Sequence, residues 1–146
     1  MNEFITRKDI QIRQFEAKDM SEVIELLQDI STYKPKHEEL SELAIRFIKQ
    51  GDAYSCVAVS GEEIIGFGSI FFINRIRGGR AAIIEDVVVL KSMRGRGIGK
   101  RIMKELIDCA RRKKCFKINL ETSNAGKQMY ETLDFIESGL NLKLLL

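Results

Sequence analysis

The chain has few of the residues that build metal centres and disulfide frameworks. Its 146 residues include three cysteines and one histidine, His37. Cys56, Cys109 and Cys115 are odd in number and widely spaced, so they match neither a disulfide framework nor a zinc-binding pattern. The composition therefore predicts no metal site, and unpaired cysteines indicate a reducing, cytoplasmic location.

Long apolar runs are also missing. No segment approaches the roughly 20 residues that a membrane-spanning helix needs, so no membrane partner is predicted. Charged residues close to the start, including Glu3, Arg7 and Lys8, argue against a secretory signal peptide. The formal net charge of +3 is mild, and no array of aromatic and basic residues is present to stack on bases. We therefore predict no nucleic-acid partner.

Length and composition predict one globular domain over residues 1–146, since 45% of the residues are hydrophobic and 31% are charged. Asp19, with Glu22 three residues later, is typical of the capping box that opens a first helix. Periodicity predicts further helices over 40–48, 97–113 and 127–133, and strands ending near residue 15 and covering 54–59, 63–74, 81–89 and 115–120. Leucines at alternate positions from Leu140 indicate a last strand.

This order of elements predicts an α/β (α+β) fold. The strands joined by short turns favour a mixed, mostly antiparallel central sheet with helices on both faces. The strands over 81–89 and 115–120 should be parallel, because a crossover helix joins them.

The most informative segment is a basic, glycine-rich loop between a buried strand and a helix, Arg-Gly-Arg-Gly-Ile-Gly-Lys over residues 94–100. Converging backbone N–H groups and the helix dipole make such a loop an anion site. A P-loop is excluded, because Arg101 follows Lys100 where Ser or Thr is required. A dinucleotide fingerprint is excluded as well, because Lys100 stands where its third glycine belongs.

These residues resemble the GNAT acetyltransferase superfamily, which binds acetyl-coenzyme A. The signature Gln/Arg-x-x-Gly-x-Gly/Ala runs here from Arg94 to Gly99. A second signature is Asn124, followed six residues later by Tyr130 and then by Phe135. The resemblance is clearest over 64–135, with Asp134 in place of the usual glycine before Phe135. The segment 84–89 also resembles glucosamine-phosphate acetyltransferases, and its Glu-Asp pair is shared with polyamine acetyltransferases.

The resemblance implies a GNAT-type sheet whose two parallel strands splay apart, so that the pantetheine arm of acetyl-CoA enters the gap. The backbone of the strand then pairs with the pantetheine amides, and a backbone N–H near a bulge polarises the thioester carbonyl. The residues implied to bind this cosubstrate are Val87, Val88, Val89, Arg94, Gly95, Arg96, Gly97, Ile98, Gly99, Lys100 and Asn124.

The acceptor is expected to be a primary amine, and its chemistry calls for a base. An alkylamine with a pKa near 10.4 is neutral in about one molecule in 2,500 at pH 7, and only the neutral form can attack. Glu85 is the predicted base, acting through a water. Asp86 is the alternative, since alternation turns the two side chains to opposite faces. The two carboxylates could instead hold an acceptor cation or a loop.

Tyr130 is predicted to protonate the departing thiolate, with a buried aromatic packing role as the alternative. No cysteine shows activation in the sequence, so the amine is expected to attack acetyl-CoA directly within a ternary complex. The predicted function is therefore transfer of an acetyl group from acetyl-CoA to the primary amine of a small molecule.

Two alternatives stay open, a protein or peptide N-acetyltransferase and a non-catalytic module that binds CoA or nucleic acid. Lys34 and Lys36, between the first two helices, would suit an anionic acceptor such as a sugar phosphate. Only 11 residues follow Phe135, so a homodimer in which a second subunit completes an acceptor wall also stays open.

Overall fold

A computed structural model describes residues 9–146, so the prediction based on Glu3, Arg7 and Lys8 concerns residues outside the described part. The strands are β1 (Ile10–Gln14), β2 (Ala53–Ser60), β3 (Glu63–Asn74), β4 (Arg80–Val89) and β5 (Cys115–Leu120). The helices are α1 (Met20–Leu27), α2 (Leu40–Lys49), α3 (Ile98–Arg112) and α4 (Asn124–Glu131). Within 9–146, no helix is both long enough and apolar enough to cross a membrane.

The five strands form one sheet in chain order, from β1 to β5. β1 to β4 pair as an antiparallel meander, and β4 and β5 are parallel. α3 makes the crossover between these parallel strands, as such a connection requires. The predicted mixed sheet with one parallel pair is confirmed.

Helices cover both faces of the sheet because its strands alternate between two apolar clusters. On one face Cys56 of β2 packs with a cluster that includes Ile102 and Leu106 of α3. On the other face its neighbour Val57 packs with Val23 and Leu26 of α1. The period of two along the strand places consecutive residues in different clusters.

Glycine in β3 permits a close approach of α3. A Cβ atom built at Gly68 would lie 2.7 Å from Ile102 Cγ2 and 3.1 Å from Leu106 Cδ1, so a larger residue would push the helix away. The helix that begins at the glycine loop is thereby held tightly against the sheet.

The predicted capping box at Asp19 and Glu22 is wrong in its position. A short 3-10 turn at Ala17–Asp19 precedes α1, and the box is formed by Glu16 and Asp19. Asp19 Oδ2 accepts a hydrogen bond from the Glu16 N–H at 2.8 Å, while Glu22 Oε2 accepts one from the Ile64 N–H at 3.2 Å. The Asp19 carboxylate therefore binds the backbone of the residues before it and does not cap α1.

The last helix begins three residues before its predicted start. Ser123 is its N-cap and its Oγ accepts a hydrogen bond from the Gly126 N–H at 3.4 Å, which extends the helix back to Asn124. After the helix, Asp134 has φ of 69°, the left-handed conformation that a glycine would favour. The turn therefore forms without the glycine usual in the family.

The predicted terminal strand is wrong for this single chain. Residues 135–146 contain no strand, and Leu142 is 95% exposed. Alternating leucines indicate which side chains a strand would bury. A strand also has to pair with the edge of a neighbouring strand, and the leucine pattern carries no information about that pairing.

Candidate functional site

The pairing of the two parallel strands, at the β5 side of the sheet, ends part-way along β4. Their pairing runs from Arg80 and Cys115 to Ile84 and Leu120. In the described part of the chain, no strand pairs with the β5-facing edge of β4 beyond Ile84. The backbone of residues 85–89 therefore has an unpaired edge on this side, as the family resemblance requires for pairing with a pantetheine arm.

A bulge in β4 interrupts the ladder within this segment. Phe67 of β3 opposes Val88, but Ser69, two residues further along β3, opposes Glu85. The single residue Gly68 therefore faces both Asp86 and Val87, and we call this pair the β4 bulge. Asp86 has φ of 57°, a left-handed conformation that is unfavourable for a non-glycine residue by roughly 1–2 kcal/mol.

The bulge changes how the two predicted carboxylates are presented. In a regular strand Glu85 and Asp86 would point to opposite faces, but the left-handed Asp86 breaks that alternation. Both residues are exposed. Burial of its carboxyl group nevertheless raises the pKa of Asp86, so it is a stronger base than an ordinary aspartate.

The glycine loop has the backbone expected of an anion site. Gly95 and Gly97 both have φ of 79°, and Gly97 is the N-cap of α3. The first bond into the helix is from the Arg101 N–H to the Gly97 carbonyl at 3.1 Å. Among the described residues, the N–H groups of 98–100 have no backbone acceptor. Three donors at a positive helix end are thus available to a ligand.

Side chains of this loop divide into two groups. Ile98 is 2% exposed and belongs to the core, so it can serve a ligand only through its backbone. Arg94 donates to the Val89 carbonyl at 3.1 Å and pairs with Asp29 at 3.2 Å. It therefore ties the loop to the end of β4 as well as adding positive charge.

The last helix approaches the same place. A Cβ atom at Gly99 would lie 3.7 Å from Val89 Cγ2 and 3.8 Å from Met129 Cε, so β4, α3 and α4 meet at this glycine. Tyr130, next to Met129, is half-buried and packs edge to face on Phe135 with ring centroids 6.0 Å apart. Asn124 is exposed at the first turn of α4.

The Tyr130 hydroxyl is suited to donate a proton. Burial raises its pKa, so the phenol stays protonated at neutral pH. Within the described part of the chain it has no hydrogen-bond partner. A protonated phenol without a partner leaves its hydrogen available to a reacting group.

Sequence reasoning missed Ser69, which stands at the β4 bulge. Its hydroxyl donates a hydrogen bond to the Glu85 carbonyl at 2.9 Å, and the residue is 1% exposed. The available signal was a lone hydroxyl in a strand that is otherwise apolar or glycine from Ile64 to Ile73.

The remaining cysteine and histidine side chains lie away from this centre or are in an unreactive protonation state. Burial raises the pKa of Cys56 to about 12, and it also raises the pKa values of Cys109 and Cys115. All three are therefore thiols at neutral pH. His37 is exposed. Within 9–146, no three His, Cys, Asp or Glu side chains are grouped to hold a metal ion.

Comparison with known proteins identifies the family of this arrangement. The profile described as the acetyltransferase (GNAT) family matches residues 20–135. Over 132 residues the chain is 35% identical to glucosamine 6-phosphate N-acetyltransferase of Trypanosoma brucei brucei, covering 87% of this chain and 89% of that protein. It is 25% identical over 138 residues to thialysine N-epsilon-acetyltransferase of Mus musculus, covering 86% and 81%.

Solved structures agree with this result. The crystal structure of glucosamine-6-phosphate N-acetyltransferase from Arabidopsis thaliana superposes with a TM-score of 0.86 at 26% identity. The superposition covers 93% of this chain and 97% of the other.

Proposed function

Since this chain belongs to the GNAT acetyltransferase family, whose members use acetyl-coenzyme A as cosubstrate, we propose that it acetylates the primary amine of a small molecule by direct transfer. The observation that carries the proposal is the convergence described above. The unpaired edge of β4 follows Ile84, the open amides lie at the start of α3, and α4, which carries Tyr130, meets both elements at Gly99.

The loop fits a phosphate-bearing cosubstrate on its own chemistry. The N–H groups of Ile98, Gly99 and Lys100 would hold phosphate oxygens, and a Cβ at Gly95 would meet nothing within 4 Å, so the ligand can approach the backbone. Arg94, Arg96, Lys100 and Asn124 would add polar contacts, and the backbone of Val87, Val88 and Val89 would pair with the amide-bearing arm. When bound, acetyl-CoA supplies the activated acetyl group.

Two side chains of this protein would handle the protons. Glu85, or Asp86 in its place, would take the proton from the ammonium form of the acceptor through a water. The raised pKa of Asp86 supports a base at this point of β4. Tyr130 would give its phenolic proton to the leaving sulfur. Burial raises its pKa, which keeps the phenol protonated but makes it a weaker acid, so its support for this role is the hydroxyl without a hydrogen-bond partner among the described residues.

Direct transfer is favoured over a cysteine-bound acetyl group. A nucleophilic cysteine needs its thiolate, and burial raises the pKa of each cysteine here. No positively charged or histidine partner lowers the pKa of Cys56. The amine itself is therefore the expected nucleophile.

A small amine is favoured as acceptor because the relatives at 25–35% identity carry the names of glucosamine 6-phosphate and thialysine acetyltransferases. The two acceptors differ in charge, since only the first bears a phosphate. Lys36 is exposed, whereas Lys34 pairs with Glu25 at 2.7 Å and is less available to an anion.

The test is an acetyl-CoA turnover assay with glucosamine 6-phosphate, glucosamine, thialysine and a lysine-containing peptide as acceptors. Activity on at least one small amine, exceeding that on the peptide by tenfold or more in kcat/KM, would support the proposal. Preference for the peptide would favour protein acetylation, and no turnover with any amine would favour a non-catalytic CoA-binding module. The ratio of kcat/KM for glucosamine 6-phosphate to that for glucosamine measures how much the phosphate group contributes to recognition of the acceptor.

We further propose that the protein acts as a homodimer in which the leucine tail (residues 140–146) of each protomer pairs with β5 of its partner. β5 is the last strand of the sheet and offers an unpaired edge, with Phe116 59% exposed. Leu140, Leu142 and Leu144 are exposed at alternate positions, and residues 138–146 make no hydrogen bond or ion pair. In a reciprocal exchange the tail of each protomer would form a strand along the β5 edge of the other. The backbone groups of both tails and both edges would then gain hydrogen-bond partners.

A further inference from the structure

We propose that Ser69 is a positioning residue that holds the β4 bulge in its working geometry. The proposal rests on the function proposed above, because the bulge carries the candidate bases Glu85 and Asp86. Ser69 is one of three buried polar or charged residues in the described part of the chain, with Asp19 and Ser55. Its hydroxyl donates to the Glu85 carbonyl at 2.9 Å.

The hydrogen bond from Ser69 to Glu85 can restrain the bulge because it lies next to the bulge in the pairing of β3 with β4. Ser69 opposes Glu85, directly before the two residues that face Gly68. A bulge locally disrupts the backbone hydrogen bonding of its strand, and a side-chain donor can compensate. The Ser69 hydroxyl is such a donor, and it restrains the peptide unit that leads from Glu85 into the left-handed Asp86.

Apolar rings flank Ser69 along its own strand, and Ser55, opposite it on β2, makes no hydrogen bond to the bulge. Phe67 and Phe71 precede and follow it on the same face of β3, and both rings pack against Phe47 of α2. An apolar setting strengthens a hydrogen bond that is made and penalises an acceptor that is left without one. Loss of the hydroxyl would therefore leave the Glu85 carbonyl free to turn, and the bulge would sample other geometries.

The consequence for the reaction is a loss of alignment and not a loss of binding. Of the proposed cosubstrate contacts, only the backbone of Val87 belongs to the bulge, while the amides of α3, the loop over 94–100 and the backbone of Val88 and Val89 lie outside it, so acetyl-CoA would still be held. The carboxylates and the backbone N–H groups at the bulge would shift relative to the bound acetyl group. Misplacement by about 1 Å is enough to lower turnover by about 100-fold.

The test compares Ser69→Ala and Ser69→Thr with Ser55→Ala. Ser55 is the matched control, because it is a buried serine directly opposite Ser69 on β2 that makes no bond to the bulge. We expect Ser69→Ala to lower kcat by 10- to 100-fold while the KM for acetyl-CoA changes by less than about twofold. Ser69→Thr, which keeps a hydroxyl, should recover most of the turnover, and Ser55→Ala should retain it.

A second measurement does not depend on turnover. Amide hydrogen exchange of residues 85–87 should become faster in Ser69→Ala than in the parent or in Ser55→Ala, with little change elsewhere in β4. Equal kcat values for Ser69→Ala and Ser55→Ala, or unchanged exchange at the bulge, would overturn the role of Ser69. If the parent acetylates no amine, the proposed function fails, and the exchange experiment still decides whether Ser69 holds the bulge.

Discussion

The guanidinium of Arg13 donates two hydrogen bonds to the carboxylate of Asp19, with Nη1–Oδ2 and Nη2–Oδ1 distances of 2.7 and 2.8 Å. The Asp19 side chain is 3% exposed and that of Arg13 is 35% exposed. This pair joins the end of β1 to the start of α1, the helix that packs beneath Val88 of the bulged strand. The support of the candidate site thus includes a charged pair far from it in sequence.

Asp19→Asn should make the protein less stable at neutral pH and less sensitive to acid. Burial would raise the pKa of Asp19, but the hydrogen bonds from Arg13 and from the Glu16 N–H, with the charge of Arg13, bring it below its ordinary value. A lowered pKa means that the carboxylate stabilises the fold above about pH 4 and ceases to do so as the pH falls through the folded-state pKa. Urea denaturation at pH 7 should show a loss of about 1–3 kcal/mol.

The difference between parent and Asp19→Asn should narrow as the pH falls below about 4 towards the lowered folded-state pKa of Asp19, because the parent then also loses its carboxylate. Glu42→Gln is the control, because Glu42 pairs with Arg46 on the exposed face of α2 and should change stability by less than about 0.5 kcal/mol. A difference that is constant from pH 7 to pH 3 would show that the Asp19 charge is not the source of the stabilisation.

Gly97→Val should abolish the rise in melting temperature that acetyl-CoA causes. The left-handed Gly97 caps α3 and directs the free amides of the loop, and valine does not tolerate that conformation. In the parent, ligand at 100 times its Kd should add about 2.7 kcal/mol, or roughly 5–10 °C. Gly61→Val, at a hairpin glycine with φ of 62°, has similar strain and should keep the ligand-induced shift. Parent protein without a shift or calorimetric binding would contradict cosubstrate binding at the loop.

The sheet was predictable because its pattern is local. The apolar run of β3 and the alternation of β5 give bounds that agree with the structure at 63–74 and 115–120. The terminal leucines have the same pattern but form no strand here, because strand formation depends on a second edge that a pattern within one segment does not describe.

The candidate site was predictable in its parts but not in its internal geometry. Glycine spacing identified the loop, and the structure brings α4 against it through Met129. The family resemblance implied a bulge in this strand, but its position at Asp86 and Val87 was not predicted, because no glycine occupies the left-handed position and aspartate there is uncommon. Ser69 was missed for a different reason, since its hydrogen bond is to Glu85, the residue opposite it on the neighbouring strand. The individual roles of Glu85 and Tyr130 stay predictions.

Tyr130→Phe should lower kcat by about 100-fold or more with little change in the affinity for acetyl-CoA. Phenylalanine keeps the edge-to-face packing on Phe135 and removes only a hydroxyl that has no partner in the described part of the chain. Thermal unfolding should therefore be nearly unchanged. Tyr33→Phe is the matched control, since Tyr33 is 74% exposed and should keep full turnover. An unchanged kcat for Tyr130→Phe under conditions where chemistry limits the rate would remove Tyr130 from the mechanism.

Leu142→Asp combined with Leu144→Asp should convert the proposed dimer into monomers. Two charges on the buried face of the exchanged strand would have to be desolvated, which opposes pairing with β5. Size-exclusion chromatography with light scattering should give twice the monomer mass for the parent and the monomer mass for the variant. Ile48→Asp, at a half-exposed position of α2, is the control and should stay dimeric. A monomeric parent at micromolar concentration would contradict strand exchange.

Glu85→Gln should alter the pH dependence of turnover more than its maximum value. The variant keeps the shape of the side chain and loses the base, so the rate should fall most at low pH, where the acceptor amine is protonated. It should recover as the pH approaches the pKa of the amine, near 10.4 for an alkylamine, because neutral amine then needs no base. Glu63→Gln, at an exposed position at the start of β3, should leave the profile unchanged.

Asp86→Asn provides the decisive comparison for the base. Burial raises the pKa of Asp86, so that carboxylate would lose its ability to accept a proton at a higher pH than an ordinary aspartate does. If Asp86→Asn removes the pH-dependent limb and Glu85→Gln does not, the base is Asp86. If both profiles match the parent, bulk water accepts the proton and the two carboxylates serve the left-handed bulge or the acceptor cation instead.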